Sequence, residues 1–127
     1  VGFYGLSAMP PWTGPMYELT EEEIAATLEQ GAAEVSGERQ VIVSHPPPHG
    51  TQVDRTRKGQ HVGSRSLRDW IERTSPALVV CGHIHEARGI DRIGPTTIVN
   101  CGPAFQGCYA IVELDETVQV ELRTAPE

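Results

Sequence analysis

The stretch that most constrains the fold is residues 77–86, which read Ala-Leu-Val-Val-Cys-Gly-His-Ile-His-Glu. Its first five residues are apolar and stand between Pro76 and Gly82, a pattern typical of a short strand buried on both faces. Two histidines, His83 and His85, follow at once. In extended backbone, residues i and i+2 project to the same side, so both imidazoles are predicted to converge. Two neutral imidazoles at the carboxyl end of a buried strand indicate a metal site.

The residues before this strand predict two further strands and two helices. Strands are expected at Val1 to Leu6 and at Gln40 to Ser44, with the irregular, proline-rich segment Ser7 to Leu19 after the first. A capping box formed by Thr20 and Glu23 begins a helix expected to end near Ser36. A second, shorter helix begins after Ser64 and ends at Ser75-Pro76. Strand, helix and strand from residue 41 to residue 81 make a β-α-β crossover with parallel neighbours.

From residue 87 onward, the pattern changes to four short strands. They are predicted at Ala87 to Ile93, Thr96 to Asn100, Cys108 to Leu114 and Thr117 to Leu122. Turn signals at residues 94–95 and 115–116 separate them, and the last strand alternates apolar and polar residues, which favours an antiparallel meander. The chain is therefore predicted to be one α/β domain, with a β-α-β unit followed by a β meander.

The charge and the cysteine content narrow the function classes. Residues 1–38 carry a net charge of −7 and residues 94–127 one of −4, whereas residues 39–93, which hold all five histidines, carry +4. An acidic total of −7 argues against broad binding to nucleic acid duplexes, and the positive middle third suits a small anionic substrate. Three cysteines without regular spacing favour a reduced, cytoplasmic protein. No run is long and apolar enough to predict a membrane span.

A second group of candidate residues follows the predicted strand at 40–44. His45 is held at the strand's carboxyl edge by three prolines that cannot continue a sheet ladder. The polar loop beyond them carries His49, His61, Arg57 and Arg65, and such long loops often carry functional residues. These four side chains are candidates for contacting substrate phosphate, and a solvated surface without a function is the equally weighted alternative. Asn100 ends a strand at the same edge and is a candidate pocket residue or a turn residue.

Three motifs carry a resemblance to the calcineurin-like metallophosphoesterases. They are a strand followed by Ser44-His45-Pro46-Pro47, a strand followed by Cys81-Gly82-His83-Ile84-His85, and a strand followed by Asn100-Cys101-Gly102. In order and spacing the resemblance covers roughly residues 40–113. It implies the α/β/β/α sandwich of that family and the hydrolysis of phosphoesters at a dinuclear metal centre.

Carried onto this chain, the resemblance implies that His45 and His83 bind one metal ion and His85 binds a second. The cofactors would be two divalent ions, and imidazole ligands suit Mn, Fe, Zn, Co or Ni. The remaining ligands of the family, an Asp-x-His, a Gly-Asp-x-x-Asp and a Gly-Asn-His that supplies the proton-donating histidine, are not found in these 127 residues. The chain is therefore expected to be the carboxyl-terminal portion of such a domain, inactive alone, with no proton donor of its own. The missing half, or a partner chain that supplies it, is an expected partner.

Two alternatives remain open at the level of the sequence. The chain could be a non-catalytic scaffold or binding module of the same fold, in which the histidines have no catalytic role. It could also hold a single structural zinc through Cys81, His83, His85 and Cys101, although that spacing is atypical of zinc modules.

Overall fold

The main sheet explains why the central strands carry runs of apolar residues. The structure, a computed structural model, describes residues 1–11 and 18–126. The strands of the main sheet are β1 Gly2–Leu6, β2 Gln40–Ser44, β3 Leu78–Cys81, β4 Gly89–Ile93 and β5 Thr96–Asn100. Their spatial order is β1-β2-β3-β5-β4, with β4 antiparallel to β5 and all other pairs parallel. Layers on both faces of this sheet bury most side chains of its inner strands, whereas Val43 of β2 is 51% exposed.

One face is covered by the helices α1 Glu21–Glu34 and α2 Arg65–Thr74, and the other by a hairpin of β6 Cys108–Leu114 and β7 Val118–Thr124. Successive residues of each central strand enter opposite cores. Ile42, Val79 and Ile98 pack against the helices. Their neighbours Val41, Leu78 and Val99 pack against the hairpin. The predicted α/β architecture is confirmed, with a β-α-β crossover that joins the parallel strands β2 and β3 through α2.

Both helices begin where the sequence predicts. Thr20 Oγ1 accepts the Glu23 N–H at 3.1 Å, which completes the capping box of α1, and Ser64 Oγ accepts the Leu67 N–H at 3.0 Å at the start of α2. Helix α1 ends two residues before the predicted Ser36. Neither helix in the described part of the chain is long and apolar enough to cross a membrane. Of the predicted irregular segment, residues 12–17 lie outside the described residues.

The predicted four-strand meander is wrong in one connection. Strand β5 pairs in parallel with β3, so β4–β5 and β6–β7 form two separate hairpins in two different sheets. The physical reason is burial: all five residues of β5 are buried, as an interior strand requires, whereas β6 alternates between its two faces. The first of these strands also begins at Gly89, because residues 85–87 form a 3-10 turn.

A hydrogen bond in the core between the helices and the sheet gives the first testable prediction. Trp70 Nε1 donates to Tyr4 Oη at 2.8 Å, and both residues are 7% exposed. Tyr4→Phe leaves the indole N–H buried without an acceptor, so we expect the free energy of unfolding to fall by about 1–3 kcal/mol in urea denaturation. The double variant Tyr4→Phe/Trp70→Phe should lose less than the sum of the two single variants. An unchanged urea midpoint for Tyr4→Phe would contradict the prediction.

Candidate functional site

His45 and His83 meet at the carboxyl edge of the main sheet. They follow the neighbouring parallel strands β2 and β3, whose register places Val43 opposite Val80. The backbone extends this pairing past the strand ends, because the His45 N–H donates to Leu6 O at 2.8 Å and the Gly82 N–H donates to His45 O at 3.2 Å. As a result, Nε2 of His45 lies 2.9 Å from Nδ1 of His83. Two ring nitrogens from separate strands therefore converge on one point.

The backbone at His83 is a tight turn, so the prediction of extended backbone between His83 and His85 is wrong. His83 has a φ of 68°, and the Ile84 N–H donates to Gly82 O at 2.8 Å across it. A three-residue turn with positive φ at its centre is rare and strained for a residue with a β-carbon. Strain of this kind persists where the surrounding structure enforces it, and it is concentrated at functional sites.

His85 lies beside this pair in a different environment. It begins the 3-10 turn His85–Ala87, and its ring packs edge-on against Phe105 with centroids 5.5 Å apart. A positive charge on His85 is still near enough to lower the pKa of both His45 and His83. The metal-ligand role of His45, His83 and His85 stays a prediction.

Burial is the main influence on the two converging imidazoles. It lowers the pKa of His45 and of His83, and the charges of the neighbouring histidines lower the pKa of each further. Both rings are therefore neutral near pH 7, which is the form that binds metal ions.

The donor set fits part of a metal centre. Among residues 1–11 and 18–126, no three His, Cys, Asp or Glu side chains are grouped to hold a metal ion. His45 and His83 supply two neutral nitrogen donors, the ligand type that suits first-row transition metals, and carboxylate ligands would have to complete the coordination. This agrees with the sequence, in which the family's aspartate motifs are missing.

The structural zinc alternative is not supported by the described residues, since Cys81, His83, His85 and Cys101 are not grouped to hold a metal ion. Cys81 is 4% exposed, burial raises the pKa of its thiol, and its Sγ donates to Val99 O at 3.4 Å. Burial also raises the pKa of Cys101. A buried Cys81 bonded to β5 fits a packing role within the sheet.

Asn100 is a structural anchor, and its role as a substrate contact stays a prediction. Its side chain is fully buried, and Nδ2 donates to Val53 O at 3.2 Å and to Ile84 O at 2.8 Å. Its Oδ1 accepts the Gly102 N–H at 3.0 Å. The amide thereby joins the end of β5 to the turn at His83 and to the long loop.

Three of the four loop candidates line one cavity. His49, His61 and Arg65 surround a volume of about 270 Å³ together with Glu21, Pro10 and Pro11. None of the three candidate metal ligands lines it. Arg57 lies elsewhere, since its backbone N–H donates to Glu86 Oε2 at 3.3 Å, next to His85. The structure therefore divides the predicted site residues between the sheet edge and this cavity.

The sequence analysis missed Asp54, which organises the loop. Its carboxylate is fully buried and accepts the N–H groups of Gly50, Thr51 and Gly63 at 2.9 to 3.0 Å. It also lies 2.6 Å from Nδ1 of His61. The signal was present, because Thr51 and Asp54 have the spacing of a capping box and do form one at the 3-10 turn Gln52–Asp54.

Comparison with known proteins agrees with the fold and with the histidine motifs. A family model described as metallophosphoesterase, calcineurin superfamily, matches residues 28–124. An uncharacterized protein of Methanocaldococcus jannaschii, MJ1162, is 39% identical over 115 residues, which are 86% of this chain and 51% of that protein. The human metallophosphoesterase domain-containing protein 1 is 39% identical over 61 residues, 47% of this chain and 19% of its own length.

The structural comparison leads to the same family. A solved crystal structure superimposes with a TM-score of 0.75 at 25% identity, covering 96% of this chain and 47% of the other. The chain belongs to the metallophosphoesterases of the calcineurin superfamily, a family of hydrolases that generally use divalent metal ions. It spans about half the length of the M. jannaschii relative.

The anchoring role of Asn100 is testable with an isosteric change. In Asn100→Asp the carboxylate cannot donate to Val53 O or Ile84 O, so we expect the free energy of unfolding to fall by about 3 kcal/mol or more. Gln119→Glu makes the same chemical change at an exposed position of β7 and should cost less than about 0.5 kcal/mol. Equal urea midpoints for the two variants would contradict the assigned role.

The protonation of Asp54 makes the free energy of unfolding depend on pH in the acid range. Burial alone raises its pKa, but the bond from His61 and those from the backbone N–H groups outweigh burial and hold the pKa below its usual 3.8. The ionised carboxylate therefore stabilises the folded protein fully above the usual pKa of 3.8, and this stabilisation is lost as pH falls through the lowered pKa. We expect Asp54→Asn to lose about 2–5 kcal/mol at pH 7 and to show a flatter loss of stability below about pH 4. Asp69→Asn, on the exposed side of α2, is the control; the prediction fails if both variants unfold alike.

Proposed function

We propose that this chain is part of a metal-dependent phosphoesterase in which His45 and His83 bind one divalent ion and His85 binds a second. The observation that carries the proposal is the 2.9 Å approach of His45 Nε2 to His83 Nδ1 at the ends of two parallel strands. In a chain of this family, two neutral imidazoles at that edge match the ligand type of its metal centre. Mn, Fe, Zn, Co and Ni are all compatible with these donors.

The chain's own contribution is to hold the imidazoles. Backbone hydrogen bonds fix His45 between β1 and β3, and the turn closed by Ile84 N–H fixes His83. Asn100 Nδ2 donates to Ile84 O, which is part of that turn, at 2.8 Å. A bound pair of divalent ions would supply Lewis-acid stabilisation of charge on the phosphoryl oxygens. These residues position the ligands, because ligand orientation tunes both affinity and activity in metal sites.

The remaining ligands and the proton-donating histidine are proposed to come from polypeptide outside these 127 residues, or from a partner chain. The coverage of relatives supports this, since the matched region is 51% of the M. jannaschii protein and 47% of the solved chain. Carboxylates that bridge two ions would complete the dinuclear centre.

The substrate is proposed to be a small phosphorylated molecule, either a monoester or a diester. Residues 39–93 carry a net charge of +4 within a chain of −7, which favours a compact anion at this edge over a long duplex. Arg57, beside the His85 turn, stays a candidate for contacting it.

A second candidate function is a non-catalytic scaffold of the same fold. It is favoured by the lack, within the described ranges, of a third metal-ligating side chain grouped with His45 and His83. The two functions differ in whether the natural full-length polypeptide loaded with metal turns over a phosphoester.

The decisive variant is His83→Asn in the full-length polypeptide. Asparagine tolerates positive φ, so the turn should persist while the imidazole is lost. With Mn²⁺ or Ni²⁺ we expect hydrolysis of bis(p-nitrophenyl) phosphate or p-nitrophenyl phosphate to fall by more than about a hundredfold, beyond what outer-shell changes cause. Metal analysis should find two ions per wild-type chain and fewer in the variant.

Gln119→Ala, on the exposed face of β7, serves as the control and should retain activity. Full activity of His83→Asn would refute the metal assignment. An inactive wild type under all five metals would favour the scaffold.

A further inference from the structure

The cavity lined by His49, His61 and Arg65 differs from the sheet edge in the side chains that it offers to a ligand. It opens where the long loop meets the start of α2, and three potentially cationic side chains face it. The acidic side chain in its wall, Glu21, is already engaged. The Glu21 carboxylate accepts the Ser64 hydroxyl at 2.8 Å and the Ser66 N–H at 2.7 Å. The donors that the cavity offers to a ligand are therefore basic.

Asp54 decides which form of His61 faces this cavity. The ionised carboxylate can only accept hydrogen bonds, so the 2.6 Å contact requires the proton on Nδ1 of His61. In the neutral ring this leaves a lone pair on Nε2, at the opposite edge of the imidazole. None of the hydrogen bonds among the described residues uses that atom. The ring is thus preset to accept a hydrogen bond from a ligand in the cavity.

The other two basic groups supply hydrogen-bond donors. The Arg65 guanidinium is always charged and can pair with two oxygens of an anion. The His49 ring lies 5.9 Å from the His61 ring. Its pKa is lowered by burial first, then by the charge of Arg65 and to a lesser degree by His61 and Arg68, while Asp54 opposes these effects. His49 is therefore neutral near pH 7 and offers one N–H.

We propose that this cavity is a second oxyanion site, selective for phosphate groups that carry an exchangeable proton. A P–OH group of the phosphate donates a hydrogen bond to the lone pair on Nε2 of His61, and Arg65 pairs with the anionic oxygens. Asp54 is a positioning residue, because it fixes the tautomer without touching the ligand. Sulfate matches phosphate in shape but has no proton to give at neutral pH, so it should bind less well.

The role of this site in catalysis rests on the proposed function. His45 and His49 are four residues apart, so their Cα atoms are at most roughly 14 Å apart. A substrate with a second phosphate, such as a nucleotide bearing two phosphate groups, is long enough to place one group at each site. The cavity would then select substrates by their second anionic group.

The test separates this site from metal chemistry by using the metal-free full-length protein in EDTA at pH 7. Titration calorimetry with inorganic phosphate and with sulfate should show phosphate binding about tenfold tighter or more, the size of one charge-assisted hydrogen bond. His61→Asn keeps an amide N–H for Asp54 but places no acceptor at the position of Nε2, and it should remove this preference. Arg65→Gln should weaken both anions, whereas Lys58→Gln, the same charge loss in the loop outside the cavity, should change neither.

Imidazole NMR supplies the readout for Asp54. In the wild type, His61 should show the Nδ1–H tautomer, and its Nε2 resonance should shift when phosphate is added. Asp54→Asn should shift this tautomer equilibrium, which a merely structural change would leave alone.

Each outcome bears on one of the two proposals. Equal affinities for phosphate and sulfate in the wild type, or a preference that survives His61→Asn, would overturn this site. Phosphate binding lost in His45→Asn but kept in His61→Asn would place the anion at the sheet edge and also overturn it. An inactive metal-loaded enzyme that still prefers phosphate would instead overturn the phosphoesterase proposal and leave this site standing.

Discussion

The buried amide of Asn100 is the interaction on which the carboxyl edge of the sheet depends. A single side chain at the end of β5 bonds three backbone groups that belong to three different segments. Each of those segments is irregular, and irregular backbone inside a protein needs partners for its polar groups. Without this amide, Val53 O would lose this donor and Ile84 O would keep only the N–H of Ala87, at 3.0 Å. The buried asparagine at the end of β5 is therefore a requirement of the loops around it.

Through this anchor, the two candidate sites share one support. Val53 precedes Asp54, which orients His61 at the cavity, and Ile84 follows His83, which meets His45 at the sheet edge. Asp54 and His83 are thus each adjacent in sequence to a residue whose carbonyl oxygen accepts a hydrogen bond from Asn100. Their relative position is set by local hydrogen bonds rather than by the long, exposed part of the loop.

The sequence predicts the parts of this fold whose cause is local or periodic. Strands β2 and β3 follow from apolar runs between turn signals, and both helices follow from their capping residues. The place of β5 does not, because a strand buried on both faces shows that it lies inside a sheet but not beside which strand. The turn at His83 cannot be predicted from the sequence either. The rule that residues i and i+2 share a side holds only in extended backbone.

The residues of the candidate site also fall into those that the sequence predicts and those that it does not. His45 and His83 were found because strand ends in a parallel sheet meet at one edge. Asp54 was missed because three of its four partners are backbone N–H groups, which no pattern of side chains reveals. The anchoring role of Asn100 was not predicted for the same reason: the acceptors of its Nδ2 are carbonyls distant in sequence by 16 and 47 residues.

The positive φ at His83 has a consequence for how such a chain can change over time. An L-residue in that conformation costs about 1 kcal/mol or more relative to glycine, whatever its side chain does. As far as the backbone is concerned, selection for a stable fold alone would favour glycine there, directly after Gly82. At this position a stable backbone favours glycine, whereas metal binding would require the histidine. Variants selected for heat resistance should therefore tend to replace this histidine first.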